Sequence, residues 1–465
     1  MVGLTLAAGA VTAAGPWDSG QRKAERERAA AQSPAGGAHH EPPAPRRPAS
    51  APAPAPSAPP VLLPLGGPRT VSAKEPAAAV GALAETLGPL LADPGLGPAP
   101  SVSVIDLATG ERLYGKRADT AMVPASTIKI VTAAAALTAL GPDHRIPTTV
   151  VAAPDAGEIT LVGGGDATLD RARLRELADR TARALRDGKA GKTAKGAKGA
   201  KLRFEYDTSL YRGPLLHPIG PNDNIAPVSA LMVGQGRLDE HTTGAATRAE
   251  DPAREAARVF REMLAERGVR TAPPAAGLPP AEAVPLAQVL SEPLSLLVER
   301  MLTRSDNDLA ESLARQTALA TGEKASFAGA ERAVTKQLRR LQVPLAGTRF
   351  ADGSGLDRRD RVSAALLTSL LARAGDTAHP ELRPVLTGLP VAGFSGTLED
   401  RYSADSDGTG LVRAKTGTLR GINTLAGTVV APGGRLLGFA FLAKDTSSEY
   451  SAEPALDRLA AALAS

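Results

Sequence analysis

Ser126 and Lys129 are the first pair of side chains along the chain whose types and spacing could do chemistry. They stand at the start of segment 124–137, whose alanine-rich, apolar composition predicts a buried helix. Residues i and i+3 share a helix face, so the hydroxyl and the amine can meet. A serine hydroxyl needs an adjacent base to act as a nucleophile, and a lysine kept neutral by burial can accept its proton. The same pair also fits a helix-capping serine beside a surface lysine.

A second candidate set is Ser305-Asp306-Asn307, which interrupts a region, 285–320, that the sequence predicts to be helical in two pieces. The Ser305 hydroxyl can relay a proton to a leaving amine. The Asn307 amide can both donate to and accept from a peptide bond. The alternative interpretation is a plain turn or helix cap, for which all three residue types are common.

The third set is Lys415-Thr416-Gly417-Thr418, which follows the predicted strand 411–414. On a strand, Lys415 and Gly417 share one face, and a glycine lets a substrate backbone lie alongside the strand edge. The ammonium supplies positive charge, the two threonine hydroxyls can bind a carboxylate, and a strand N–H can complete an oxyanion hole. The alternative is an exposed edge strand that its lysine keeps soluble.

The elements that must position these residues form a mixed pattern. Helices are predicted at 76–91, 252–267, 363–374 and 453–463, and strands at 101–107, 112–114, 204–211, 411–414, 423–430 and 436–442. Consecutive strands near the C-terminus, with helices on either side, indicate an α/β mixture (α+β) with an antiparallel sheet rather than a parallel βαβ array.

The composition excludes several other kinds of site. The chain has 465 residues, of which 43% are hydrophobic, enough for a large core in two or three lobes. Cysteine is absent, which excludes a disulfide framework and thiolate chemistry. The six histidines show no ligand spacing, so we expect no metal. The net charge of +5 comes without a block of basic and aromatic residues, so we expect no nucleic-acid binding.

Two segments are not predicted to belong to a folded core. Residues 1–74 begin with an apolar stretch, 1–17, similar to part of a secretion signal, and twelve prolines follow between Pro34 and Pro68. The alternative for 1–17 is an ordinary flexible terminus. We expect the proline-rich stretch to be an extended spacer, against the alternative of a linker with no partner. Lysines recur every third residue from Lys189 to Lys201. This run predicts a solvated loop or, alternatively, a contact with anionic polymers.

The three sets together, in this order, resemble the signature of penicillin-binding proteins and class A β-lactamases. Roughly 175 residues separate Lys129 from Ser305, which is more than the compact lactamase pattern allows. The chain therefore resembles the penicillin-binding-protein 4 type of D-alanyl-D-alanine carboxypeptidase, peptidase family S13. Further segments carry the resemblance: LVGGGDATL (161–169), IAPVSAL (225–231), DGSGL (352–356) and LPVAGFSGTLEDR (389–401).

The resemblance implies a transpeptidase-like catalytic domain interrupted by a smaller domain. By this comparison, residues 75–150 and 285–465 form the catalytic domain, and 151–284 form the insert. The implied nucleophile is Ser126, with Lys129 as its base. Ser305, near Lys415, passes a proton to the departing D-Ala, and Asn307 orients the substrate amide.

The resemblance also implies how substrates are held. Thr416, Gly417 and Thr418 line the substrate, Thr416 and Thr418 with Lys415 recognise the terminal carboxylate, and the N–H groups of Ser126 and Thr418 form the oxyanion hole. The expected substrates are peptidoglycan stem peptides, cut at D-Ala-D-Ala and at D-alanyl cross-links. β-Lactams are the expected inhibitors, and no cofactor is required.

The implied location is outside the cytoplasm of a bacterium, with membrane or wall association through the N-terminal segment. The alternatives are a β-lactamase or esterase on the same scaffold, and a catalytically silent wall-binding or penicillin-sensing protein.

Overall fold

The fold is known from a computed structural model, which describes residues 75–154, 157–188 and 201–465. The predictions for residues 1–74 and for the lysines at 189–200 lie outside these ranges. The strands are β1 (Ser101–Asp106), β2 (Arg112–Lys116), β3 (Pro147–Ala152), β4 (Glu158–Val162), β5 (Arg203–Asp207), β6 (Ala275–Ala276), β7 (Val284–Leu290), β8 (Val412–Leu419), β9 (Ile422–Val430) and β10 (Leu436–Lys444). The helices are α1 (Glu75–Leu90), α2 (Ile128–Leu140), α3 (Arg171–Arg186), α4 (Pro252–Glu266), α5 (Leu294–Arg304), α6 (Asn307–Ala320), α7 (Phe327–Arg340), α8 (Ala364–Gly375), α9 (Pro384–Thr387) and α10 (Glu449–Ala461).

The first sheet is antiparallel, with strand order β2-β1-β10-β9-β8. Its two faces are both covered by helices, because the strands β1, β10 and β9 bury side chains on both sides. Leu87 of α1 and Leu456 of α10 pack on the face that carries Ala414 and Leu425. Helix α8 packs on the opposite face, where Ala426 and Ala440 lie, and α2 and α6 extend the same hydrophobic core. The predicted α/β mixture with an antiparallel sheet between helices is confirmed.

Strand β8 is an edge strand, and only its first part is covered. Val391 bridges to Arg413, and the Ala414 N–H donates to the carbonyl of Pro390 at 2.9 Å. On that side, no further strand among the described residues pairs with Lys415–Leu419. The stretch that carries the third motif therefore lies at the open part of the edge.

A second, mixed sheet has the strand order β6-β5-β4-β3-β7. Helices α3 and α4 pack on it through an aliphatic cluster that includes Leu177 and Phe260. The helix predicted from Pro285 is wrong over Val284–Leu290, because this stretch is β7 and pairs with β3. Strands β3 and β7 of this sheet therefore lie mostly outside the predicted inserted domain, 151–284. The division into domains stays a prediction.

In the described residues, no helix combines the length and the apolar character that crossing a membrane requires.

Candidate active site

Ser126 lies in a short 3-10 turn, Ala125–Thr127, that leads directly into α2. Ala125 has a φ of 47°, in the left-handed region that costs a non-glycine residue about 1–3 kcal/mol. The surrounding structure must hold this conformation. Gly355 does so by direct contact, because a Cβ at that position would collide with the Ala125 carbonyl. We call Ala125–Thr127 the nucleophile turn.

The Lys129 amine lies one helical turn further on and is fully buried. It is 3.0 Å from Ser126 Oγ, 2.7 Å from Asn307 Oδ1 and 2.6 Å from the Ser354 carbonyl oxygen. The latter two atoms can only accept hydrogen bonds. A neutral amine, with two hydrogens and one lone pair, would donate to both of them and direct its lone pair at the Ser126 hydroxyl. The contacts therefore suit a lysine that takes the serine proton.

Burial lowers the pKa of Lys129 to about 8, because the charged form loses its hydration. Nearby negative charge opposes this shift, first that of Asp352 and then that of Asp306 and Glu311. The neutral form is thus accessible near neutral pH, as a base requires.

Ser305 and Asn307 are placed by the junction between α5 and α6. Ser305 ends α5 in a left-handed conformation, with φ 56°, and Asp306 caps α6 by accepting from the Leu309 N–H at 2.9 Å. This reversal places Asn307 against Lys129. Among the described residues, the half-buried Ser305 hydroxyl makes no hydrogen bond to Ser126, Lys129 or Lys415.

The third motif lies against the nucleophile turn. A Cβ on Gly417 would stand 2.8 Å from the Pro124 carbonyl oxygen and 3.0 Å from the Ser126 nitrogen. Only a glycine lets β8 approach so closely. Lys415, two residues earlier on the same face, is fully buried and donates to the Thr416 carbonyl at 2.9 Å. Burial, followed by the charges of Lys129 and Arg401, holds the pKa of Lys415 well below its usual value.

Thr416 and Thr418 alternate with these residues along the strand. The Thr416 hydroxyl lies 2.9 Å from that of Thr397, and the Thr418 hydroxyl donates to Glu453 Oε1 of α10 at 3.1 Å. The structure thus gives both hydroxyls protein partners that the sequence analysis did not foresee.

Sequence reasoning also missed residues that support the site. The carbonyl of Asn224 accepts from Asn307 Nδ2 at 3.0 Å, and the Ser354 carbonyl accepts from Lys129. The signal for Ser354 was present, because Asp352–Gly355 has the composition of a tight turn. For Asn224 there was no such signal, since the residue lies in an irregular loop.

Comparison with known proteins agrees with this arrangement. A sequence profile of the D-Ala-D-Ala carboxypeptidase 3 (S13) family matches residues 83–246 and 237–463. The chain belongs to this family. The expectation of a serine-type D-Ala-D-Ala carboxypeptidase is thereby confirmed.

The chain is similar to curated members over most of its length. It is 36% identical to Carboxypeptidase DacB of Mycolicibacterium smegmatis over 435 residues, 88% of this chain and 90% of that protein. It is 30% identical to the D-alanyl-D-alanine carboxypeptidase of an Actinomadura species, over 76% of this chain and 79% of that protein.

Penicillin binding protein 4 of Haemophilus influenzae has a similar solved structure, with a TM-score of 0.65 and 22% identity. The match covers 82% of this chain and 97% of that one, and it shows the shared fold.

Proposed function

We propose that this S13 enzyme removes the terminal D-Ala from peptidoglycan stem peptides through an acyl-enzyme on Ser126. One observation carries the proposal: the buried Lys129 amine, with its lowered pKa, lies 3.0 Å from the Ser126 hydroxyl. A nucleophile and its base at this distance are what acyl transfer requires. Membership of the S13 family supplies the substrate class.

In the acylation step, Ser126 Oγ attacks the carbonyl carbon of the penultimate D-Ala while its proton passes to Lys129. The oxyanion accepts hydrogen bonds from the N–H groups of Ser126 and Thr418. The close approach of Gly417 to the Ser126 nitrogen supports this pairing, because it brings β8 beside the nucleophile turn.

The C–N bond then breaks, and the departing D-Ala nitrogen needs a proton. We assign that transfer to the Ser305 hydroxyl, with Lys415 nearby, and the orientation of the substrate amide to Asn307. Hydrolysis by water releases the acyl chain and restores Ser126. Each of these groups comes from a different element of the fold, and Asn307 already contacts Lys129 at 2.7 Å.

Lys415, Thr416 and Thr418 are the proposed partners of the substrate carboxylate. The open edge of β8 from Lys415 onward supports an extended substrate that lies antiparallel to the strand. Such a substrate replaces the contact between Thr418 and Glu453. Cross-linked peptides fit the same edge, so we extend the proposal to D-alanyl endopeptidase activity.

β-Lactams are proposed to acylate Ser126 and to be released slowly. The Haemophilus penicillin binding protein 4 has been solved in complex with a β-lactam, which supports this proposal through the common fold. Because the proposed substrate lies in the cell wall, we propose an extracytoplasmic location. The N-terminal segment expected to provide wall or membrane association lies outside the described residues.

The test is labelling of the full chain by a fluorescent penicillin, compared between the wild type and Ser126→Ala. The exchange should abolish labelling, while Ser295→Ala, at the N-terminal end of α5 and ten residues before Ser305, should leave it intact. Full labelling of Ser126→Ala would remove Ser126 as the nucleophile.

Turnover separates the carboxypeptidase from the alternative activities. The wild type should release D-Ala from a diacyl-D-Ala-D-Ala peptide and turn over penicillin far more slowly. Rapid penicillin hydrolysis without D-Ala release would instead indicate a β-lactamase.

A further inference from the structure

The turn Asp352–Gly355 lies behind the proposed base and the nucleophile turn at once. Its Ser354 carbonyl accepts from Lys129 Nζ at 2.6 Å. Its Gly353 carbonyl accepts from Thr132 Oγ1 of α2 at 2.7 Å, and Gly355 packs on Ala125. A shift of this turn would therefore move the acceptor that fixes the Lys129 amine.

Two buried carboxylates hold the turn in place. Glu311 Oε1 of α6 accepts from the N–H groups of Gly353 and Ser354, at 2.9 and 3.0 Å. Asp352 Oδ1 accepts from the Gly355 N–H at 2.6 Å, and its Oδ2 accepts from the Asp357 N–H at 2.7 Å. The backbone of the turn is thus organised by negative charge placed close to Lys129.

His217 completes this cluster from the segment between β5 and α4. The residue is only 3% exposed, and its Nε2 lies 3.0 Å from Asp352 Oδ2 and 3.9 Å from Glu311 Oε1. Its ring meets the edge of Phe327 at a centroid distance of 5.3 Å, and the Arg315 guanidinium lies over the same phenyl ring. The imidazole is therefore fixed on all sides.

The ion pair of Nε2 with Asp352 favours a protonated His217, although the Ile219 N–H lies 3.4 Å from Nδ1 and opposes a proton there. The pKa of this histidine is raised, because the hydrogen bond to Asp352 and the charge of Glu311 outweigh its burial. Although burial opposes it, the hydrogen bond from His217 contributes to holding the pKa of Asp352 at about 2. Burial and the neighbouring Asp352 raise the pKa of Asp360 to about 11, so Asp360 is neutral.

Several charged groups surround Lys129, and most of the negative ones have a positive partner. The groups that face it are Asp306, which caps α6, Glu311 from α6, Asp352 and Asp360 from the 352–360 region, and Lys415 from β8. Arg315 pairs with Glu311 at 3.2 Å, and His217 pairs with Asp352. Without a charge on His217, Asp352 would be unbalanced and would favour protonated Lys129.

A bound metal ion does not explain the cluster as well. The ligand atoms of His217, Glu311 and Asp352 lie within 4.8 Å of one another, which is a spacing that a metal could bridge. However, Glu311 Oε1 already accepts two backbone N–H groups and Asp352 Oδ2 accepts another. The hydrogens of these backbone N–H groups point at the same oxygens that a cation would have to approach. A protonated His217 fits the cluster better, because it is one more hydrogen-bond donor to these oxygens.

We propose that His217 is a positioning residue for the base: it fixes the Asp352–Gly355 turn, and its positive charge offsets Asp352 so that Lys129 can give up its proton. The inference rests on the proposed role of Lys129 as the base. It gives the segment between β5 and α4 a part in catalysis without contact with the substrate.

The experiment measures the rate of acylation by a fluorescent penicillin between about pH 5 and about pH 10, with the full chain. In His217→Gln, an amide N–H replaces the ring N–H toward Asp352, but the charge is lost. The midpoint of the rise with pH should move upward by on the order of one unit, with acylation at neutral pH about tenfold slower. Burial and the charge of Asp352 raise the pKa of Glu311, but the pairing with Arg315 and two backbone N–H donors favour its carboxylate. Glu311→Gln keeps an acceptor for the turn and removes this charge, so its midpoint should move downward.

His379→Gln is the matched control, because His379 pairs with Glu381 at the surface, and its profile should equal that of the wild type. A purely structural role would slow both cluster variants at every pH and leave the midpoints unmoved, and that result overturns the proposal. If circular dichroism shows that His217→Gln is unfolded, Glu311→Gln provides the test. A downward shift of its midpoint supports the balance of charge around Lys129, and an unmoved midpoint contradicts it. Failure of the wild type to acylate at any pH would instead overturn the proposed function.

Discussion

The Lys129 amine meets three oxygens, and two of them can only accept hydrogen bonds. For this reason the serine hydroxyl is the one partner that can reverse its role when the amine loses its charge. Because burial lowers the pKa of Lys129 to about 8, the base is mostly protonated below that pH and neutral above it. We expect acylation by a penicillin to rise with pH to a midpoint near about 8, as measured by stopped-flow fluorescence. A rate that falls with pH across this range would contradict the assignment of Lys129 as base.

Removal of the amine tests the same residue directly. Lys129→Ala should lower the acylation rate by several orders of magnitude, because a nucleophile and its base act as a unit. Lys336→Ala, at an exposed position of α7, is the control and should acylate like the wild type. Equal rates in the two variants would mean that another group accepts the serine proton.

For individual residues, the sequence predicted the contacts between neighbours along the chain. Ser126 and Lys129 face each other because residues three apart on a helix do so. The contact of Lys129 with Asn307 joins residues 178 positions apart, and only the resemblance to a family pointed to it. His217 and Asn224 lie in irregular loops, where no periodicity indicates which atoms come close.

Strand β8 can lie close to the nucleophile turn only because Gly417 has no side chain. In Gly417→Ala, the Cβ would collide with Thr424 Oγ1 and crowd the Pro124 carbonyl and the Ser126 nitrogen. The strand must then move away from the nucleophile turn. We expect about a 100-fold loss of acylation, because displacements near 1 Å have effects of this size.

The control for this variant is Gly88→Ala in α1, where a Cβ would meet nothing within 4 Å. It should leave acylation unchanged. If Gly417→Ala acylated normally while remaining folded, the close approach of β8 would not matter for the chemistry.

The error over Val284–Leu290 shows what sequence patterns leave open for elements. The run VPLAQVL is apolar and continues into the apolar face of α5, so it resembles the first turn of a helix. Pro293 marks the actual start of α5. The competing outcome, pairing with β3, depends on a strand about 140 residues earlier, and tertiary contacts override local propensity in such cases.

At the scale of the whole molecule, a buried ion pair connects the segment after β5 to the Ser305–Asn307 region. Arg248 donates to Asp308 Oδ2 at 2.8 Å, and both side chains are almost fully buried. In Arg248→Met, Asp308 would lose its counterion inside the protein, and we expect the free energy of unfolding to fall by about 3 kcal/mol in urea denaturation.

Arg258→Met provides the comparison, because Arg258 forms its ion pairs at the exposed surface of α4. This exchange should lower the free energy of unfolding by less than about 1 kcal/mol. The double exchange Arg248→Met with Asp308→Asn should regain much of the loss. A loss of similar size in both single variants would mean that burial of the pair is not what makes it important.

The order of strands in the first sheet has a consequence for when activity can appear. β10, one of the last elements to leave the ribosome, lies at the centre of that sheet between β1 and β9. The early hairpin of β1 and β2 therefore has no neighbouring strand until β10 has been synthesised, and such long-range pairing is slow. We therefore expect no acylation from a chain that stops before Leu436, because β9 and β8 would have no sheet to join.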